Sequence, residues 1–438
     1  MREMKDSGIE WIGQIPKDWK CCKVKYSTSF VGSGTTPTSS NQDFYDGDIN
    51  WIQSGDLYKT VVVDTVEKKL TEKALKSFSA LHIYQAPFII MAMYGASVGN
   101  TAFSKIDACC NQACCCIKNN ESFNLKFMFY WLDFAQIDFL GRAIGGTQPN
   151  ISQDKIKNQY IVKPSLEEQQ QIADYLDTQC SEIDATAEDI KKEISLLEDY
   201  KKSVITEAVT KGLNPDAEMK DSGIAWIGEI PKDWDLLKIG YVTKEISDID
   251  HYMPSDSDDI DKVPYLMIGD LKENISQIDF ESCKYISKKV YRALSIKSKP
   301  EKENVIFARY ATIGTVCFVD SEKQLLVSYA CLTVKANELI KGRFLFYYFK
   351  SNAFLEEVSQ YVKSNTQGNI GKESLIRAKI VVPKLKEQTQ IISYLDSKCS
   401  EIDAIIADKK RQRGILADYK KSLIYEYVTG KKEVPVHE

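Results

Sequence analysis

Apolar residues recur at Ala173, Leu176, Cys180, Ile183, Ala187, Ile190, Ile194, Leu197, Val204 and Ala208, a series interrupted only by Lys201. Intervals that alternate three and four make a coiled-coil seam, narrower than the apolar face of a helix lying on a globular core. Ser165 and Glu168 open the series with a capping-box pattern, and Gly212 and Pro215 stop it. A second seam runs through Leu395, Cys399, Ile402, Ile406, Leu416 and Leu423, with Lys409, Arg413 and Lys420 between. The pattern predicts two helices, over 166–212 and 385–430, each roughly 60 Å long at about 1.5 Å per residue. Neither can bury a single apolar stripe alone, so the two pair most simply with each other, and antiparallel pairing relates the halves by a pseudo-twofold axis. The rod then acts as a ruler between globular domains.

Residues 17–165 and 232–384 have another texture, in which short β-branched and aromatic runs are broken by turns such as VGSGTTPT and IGGTQPN. Such runs predict two compact mixed α/β domains and an overall α+β class. Segments 1–16 and 213–231 serve as framework and linker, and 431–438 as a tail.

The chain is one unit written twice. KDSGIEWIGQIPKDW at 5–19 returns as KDSGIAWIGEIPKDW at 220–234, identical at 13 of 15 positions. LEEQQQIADYLDTQCSEIDA at 166–185 returns at 385–404 with 14 of 20 positions kept, and DYKKS at 199 returns at 418. Between these blocks SGDL precedes IGDL, ASVGN precedes ATIGT, FMFYWL precedes FLFYYF and TQPNI precedes TQGNI, in conserved order. A repeat on this scale governs the architecture. The opening segment reads as the hinge joining each globular domain to its helix, with Trp11, Trp19, Trp226 and Trp234 as packing anchors rather than base stackers.

Composition narrows the class. With 43% hydrophobic and 27% charged residues the chain is of globular type. Its longest apolar stretch, APFIIMAM, is far short of the roughly 20 residues a membrane span needs. MREMKDSG lacks the apolar core of a signal peptide, which predicts a cytoplasmic protein without membrane contact. The run CCNQACCC reads as a buried strand of small hydrophobes with reduced thiols, not a metal site, because His82, His251 and His437 are all remote from it.

A net charge of −5 conceals an uneven distribution. Residues 166–212 carry twelve acids and five bases, whereas 385–430 carry seven acids and eight bases. EISDIDHYMPSDSDDID at 245–261 holds seven acids and no base, and without it the globular domains are modestly basic, which is compatible with phosphate contact. Basic, polar and aromatic side chains near expected loops are the candidate DNA contacts: Tyr58, Lys59, Tyr94, Ser97, Asn100 and Arg142 in the first domain, with Lys288, Lys289, Arg292, Arg309, Tyr310 and Thr312 in the second.

Catalytic patterns are missing or false. PDAEMK carries Pro-Asp and Glu-x-Lys elements of a metal-dependent nuclease, but Asp216 and Glu218 sit two residues apart in a linker. GNIGKES lacks phosphate-loop spacing, VGSGTTPT lacks a third glycine, and no Asn/Asp-Pro-Pro-aromatic tetrapeptide occurs. The reading is a non-catalytic module without metal or cofactor of its own.

Taken together, the doubled KDSGI.WIG.IPKDW, the SGDL, the GGTQPNIS ahead of VKP and the LEEQQQIADYLD…SEIDA…DYKKS helix resemble the specificity subunit of bacterial type I restriction-modification enzymes, over nearly the whole chain. The resemblance implies two target recognition domains, 17–165 and 232–384, each reading half of a bipartite, asymmetric site in double-stranded DNA. It also implies two modification subunits that methylate adenine with S-adenosylmethionine, and restriction subunits that use ATP and Mg. TQGNIG departs from the pattern where Gly368 replaces the proline of the first copy. A stand-alone architectural or regulatory DNA-binding protein is the alternative, and it would bind DNA tightly without co-purifying methyltransferase.

Overall fold

The computed structural model describes every residue except 1, 59, 142–149, 258–260, 311–312, 363–367 and 436–438. Its contacts divide the chain into unit 1, Met1–Asp189 with Gln412–Glu438, and unit 2, Ile190–Arg411.

In unit 1 the strand Phe88–Ala92 is buried at every position, as a central strand covered on both faces must be. It lies between Cys114–Asn119 and Thr101–Ser104 in a five-stranded sheet, with Thr28–Ser33 and Val62–Val63 at the edges. The cysteine run explains itself through strand alternation. Cys115 and Ile117 face the main core beside Ile89 and Met91, while Cys114 and Cys116 face a second cluster with Ile90 and Ala92. Burial pushes the Cys109 and Cys115 thiols up to about 12, which keeps them protonated. Among the described residues no His, Cys, Asp or Glu cluster is arranged to hold a metal.

The helix Leu125–Phe134 closes this core, its first turn capped by Asn124, whose side chain accepts from the amides of Lys126 and Phe127. Trp131 inside it donates from Nε1 to the Tyr160 carbonyl at 2.8 Å. That bond ties the helix to the pair of strands Tyr160–Lys163 and Lys20–Lys23.

Unit 2 repeats this plan. A four-stranded sheet runs Thr243–Ser247, Cys331–Ala336, Val305–Ala308, Val316–Phe318, and a three-stranded sheet runs Lys284–Ser287, Lys262–Leu266, Leu326–Val327. Helix Gly342–Lys350 covers the core, and Tyr348 reaches the Lys379 carbonyl as Trp131 reaches Tyr160. Strand Asp235–Lys238 pairs with Lys379–Val382.

The two long helices are Leu166–Lys211 and Leu385–Val428. Both units contain parts of both helices, and in each unit the parts pack together. In unit 1, Leu176, Cys180 and Ile183 share a core with Leu423, Ile424, Tyr427 and Val428. In unit 2, Val204, Ile205 and Ala208 share one with Ile391, Leu395 and Cys399. In each, the opening turns of one helix lie beside the closing turns of the other. Lys201, which interrupts the apolar series, is only 8% exposed and bonds to both oxygens of Asp403 at 2.7 Å. Lys420 bonds to both oxygens of Asp184 at 2.7 Å. Lys201 and Lys420 are repeat equivalents, as are Asp184 and Asp403. With Lys409, which pairs with Glu193 at 2.6 Å, three of the seam's polar breaks are therefore cross-helix ion pairs.

The doubled opening segment brackets each helix pair. It forms a strand pair, Met4–Asp6 with Gln14–Pro16 in unit 1 and Met219–Asp221 with Glu229–Pro231 in unit 2. Its last residue is a fully buried tryptophan: Trp19 Nε1 donates to Glu168 at 2.9 Å, and Trp234 Nε1 donates to Glu387 at 2.8 Å. Ser165 does cap the first long helix by accepting from the Glu168 amide, but the Glu168 carboxylate turns away to Trp19 and Arg2. The far helix ends beside the same tryptophan. Gly430, at φ +69°, leaves no room for a Cβ, which would stand 2.4 Å from Pro16 and 2.8 Å from Trp19. Trp11 packs on Trp131 and Phe134, and Trp226 donates to Glu357 at 3.0 Å, so all four tryptophans anchor.

Two further ties recur. Buried Gln169 accepts from the Asn124 amide and donates to the Pro164 carbonyl; buried Gln388 accepts from the Lys341 amide and donates to the Pro383 carbonyl. Asp177 takes Lys126 and Tyr130, and Asp396 takes Arg343 and Tyr347. A buried amide that is satisfied at both ends fixes the helix angle more firmly than apolar contact alone.

Candidate nucleic-acid interface

In unit 1 two tight turns meet. Asp56 closes Ser54–Leu57 by accepting from the Gln53 amide at 2.8 Å, which explains the acid in SGDL. Asn100 joins this turn to the neighbouring one, Gly95–Ser97, by donating to the Leu57 carbonyl at 3.2 Å and accepting from Gln136 at 2.9 Å. What the turns present outward is aromatic: Tyr58 is 58% exposed and Tyr94 45%. Ser97 is 8% exposed. Of the residues named from sequence, Tyr58 and Tyr94 face solvent, whereas Ser97 and Asn100 are turned into the scaffold. Lys59 and Arg142 lie outside the described residues.

The repeat element TQPNI ends on this surface. Asn150 forms an antiparallel bridge with Tyr94, and the Ile151 amide donates to the Met93 carbonyl at 2.9 Å. Unit 2 does the same with Tyr310 and Asn369, where the Ile370 amide donates to the Arg309 carbonyl at 3.0 Å. The replacement of proline by Gly368 leaves this closure intact.

A neighbouring cleft of about 430 Å³ in unit 1 is lined by Thr36, Gln42, Tyr45, Trp51, Gln53, Lys68 and Lys69, which include hydroxyl, amide and cationic groups of the kind that read base edges and phosphates, and by the carboxylates of Asp46 and Glu67. Gly34 of VGSGTTPT serves packing here, since a Cβ would stand 1.7 Å from the Cys110 carbonyl oxygen.

The counterpart surface in unit 2 is cationic as well as aromatic. The Arg309 guanidinium lies 5.1 Å from the Tyr310 ring centre, Tyr310 lies 6.2 Å from Tyr329, and Tyr329 lies 3.9 Å from His251. Arg309 also pairs with Asp248 at 2.8 Å. Lys288, Lys289 and Arg292 sit on the helix Lys288–Leu294, which Ser287 caps; Lys289 and Arg292 are exposed, and Lys288 pairs with Asp261 at 2.6 Å. Thr312 lies outside the described residues. Sequence reasoning missed Tyr329 and His251, whose positions relative to Tyr310 depend on strand pairing and not on local pattern.

A family model for the type I restriction modification DNA specificity domain matches the chain twice, over 16–196 and 231–412. The chain belongs to this family. Two specificity subunits of type I restriction enzymes from Methanocaldococcus jannaschii, MjaIX and MjaVIII, are each 24% identical to it. The MjaIX match covers 97% of this chain and 95% of the relative, and the MjaVIII match covers 96% and 94%. A solved chain described under complex assembly and conformational transition of the type I R-M system superposes with a TM-score of 0.70 at 15% identity, over 95% of this chain and 99% of that one. The fold is thus a mixed α/β domain repeated twice with long helices that pack together. As a type I specificity subunit, the chain supplies DNA sequence recognition and is a non-catalytic part of a multisubunit enzyme. Among the described residues no helix is long and apolar enough to cross a membrane.

Proposed function

We propose that the chain reads a bipartite, asymmetric site in double-stranded DNA, one half-site per unit, and recruits two adenine-N6 methyltransferase subunits together with ATP-dependent restriction subunits. The observation that carries this reading is the doubled surface: Tyr94 with Asn150 in unit 1 and Tyr310 with Asn369 in unit 2. Each lies beside polar or basic groups suited to base edges and phosphates. The acidic face of the first long helix is offered to the methyltransferase partners. Helix length sets the gap between half-sites, and the two helices pair as an antiparallel coiled coil with pseudo-twofold symmetry. S-adenosylmethionine, ATP and Mg are used by the partner subunits, in the cytoplasm.

Methylome sequencing of a host expressing the complete system tests this. The expected result is a split motif with adenine modified in both halves, on opposite strands. Exchange of residues 17–165 for the matching domain of a relative is expected to change one half only. An unsplit motif, or a change in both halves, defeats the reading.

A further inference from the structure

The acidic stretch of unit 2 does not hang free in solvent. Asp248 pairs with Arg309 at 2.8 Å, Asp250 with Lys297 at 2.6 Å and Asp261 with Lys288 at 2.6 Å. The segment is also fastened through its backbone, since Asp256 accepts from the Tyr285 amide and the Ser257 amide donates to the Tyr285 carbonyl, both at 3.0 Å. His251 from the same segment lies 3.9 Å from Tyr329, the ring next to Tyr310. An anionic segment thus pairs with Arg309 and Lys288, two of the cations assigned above to DNA, and with a further cation, Lys297.

We infer that Asp248, Asp250 and Asp261 are specificity-determining residues that stand in for DNA phosphates, holding Arg309, Lys297 and Lys288 back from any duplex that does not also satisfy the base-reading groups. The inference rests on the proposed DNA-reading role of this surface. Two of the pairs are open to water, Lys297–Asp250 with 56% and 62% side-chain exposure and Lys288–Asp261 with 43% and 73%. Pairs of that kind are held weakly, so a phosphate can replace the carboxylate once the duplex is seated. The Arg309–Asp248 pair, at 14% and 27%, is more enclosed and guards the aromatic centre.

Unit 1 supplies an internal contrast. The same connection runs there from the sheet-edge strand Thr28–Ser33 to Tyr45–Ile52, the middle strand of a three-stranded sheet with Cys109–Cys110 and Lys69–Leu70; it spans residues 34–44 and carries one acid, Asp43, which pairs with Lys73. The connection of unit 2, residues 248–261, is the more acidic by six acids to one.

The test is equilibrium binding by the full chain, co-expressed with its methyltransferase subunits, to a labelled duplex of unrelated sequence and to the duplex carrying its methylated motif. D248N/D250N/D261N is expected to bind the unrelated duplex about 10-fold more tightly at low salt, since three weak competitors are lost. The slope of log K against log salt should steepen by about 0.9 for each cation released. Preference for the motif should fall by a similar factor. Should the triple variant misfold, the exposed single change D250N carries the test, with an expected tightening of about 2-fold. Unchanged or weaker binding to the unrelated duplex, with an unchanged slope, overturns the inference. Failure of the parent complex to prefer its motif would instead sink the DNA-reading role, and the two failures are read from different duplexes.

Discussion

Unit 1 and unit 2 share a skeleton and differ in the charge built around it. Both carry the buried tryptophan on a helix-start glutamate, the buried glutamine clamp and the aspartate that takes a cation and a tyrosine. Yet FMFYWL is followed by Asp133 and FLFYYF by Lys350. In unit 2, Lys350 and Lys201 converge on Glu273, and Lys201 also holds Asp403, which makes a balanced quartet. In unit 1, Lys420 holds Asp184, and Asp133 is an additional, enclosed carboxyl. Repeated elements fix how a recognition domain is mounted, while the intervening sequence is free to vary in charge. That division suits the proposed reading of two unlike half-sites.

If the mounting is common, its removal should cost both units alike. Trp19→Ala and Trp234→Ala each delete a fully buried indole and its bond to a glutamate. Each is expected to destabilise its own unit by about 4 kcal/mol, seen as loss of amide protection confined to that unit. A large effect in one unit and a negligible one in the other would break the equivalence.

If charge is where the units differ, equivalent lysines should not be equivalent. Lys201→Met leaves Asp403 unpaired and removes one of two cations from Glu273, and it is expected to cost unit 2 about 2 to 3 kcal/mol, somewhat below a fully buried pair. Lys420→Met strands the half-exposed Asp184 and is expected to cost unit 1 about 1 kcal/mol. Denaturant unfolding followed by exchange in each unit separates the two.

Much of the mounting was legible in sequence because it rests on period and repetition. The seam from Ala173 to Ala208 gave the long helix, and the alternation of Cys114, Cys115 and Cys116 gave a strand buried on both faces. Lys201 reads as a flaw until Asp403, 202 residues away, is seen to bond to it. The interface was legible only in part. Tyr58, Tyr94, Ser97 and Asn100 all belong to turns, and nothing local separates the exposed tyrosines from the inward-facing Ser97 and Asn100, since the direction is set by Gln136 and Leu57, brought in by the fold. The acids at 248, 250 and 261 were visible as a charge run, but their cations lie 27 to 61 residues further on in sequence and could not be assigned.

The smallest effect sharpens the contrast through pH. Burial pushes the Glu273 carboxyl up, but Lys350 and Lys201 outweigh it and hold the group at about 2, below its ordinary 4.5. The folded state therefore releases this proton more readily than the unfolded one, so the stabilisation is present above pH 4.5 and is lost as pH falls toward 2. Asp133 has the opposite sign: burial pushes its carboxyl up from 3.8, and Lys420 and Lys421 only partly offset that. Its folded form binds the proton more tightly, so acidification through this range favours unit 1. The displacement of Glu273 corresponds to about 3 kcal/mol, and its 38% side-chain exposure lets solvent screen that to about 1 to 2 kcal/mol. Exchange protection of Gly342–Lys350 should fall relative to that of Leu125–Phe134 between about pH 5 and 3, after correction for intrinsic rates. Glu273→Gln should remove the dependence from unit 2 and leave unit 1 as it was. Parallel slopes in the two helices would show that Asp133 and the lysine quartet contribute nothing that distinguishes the halves.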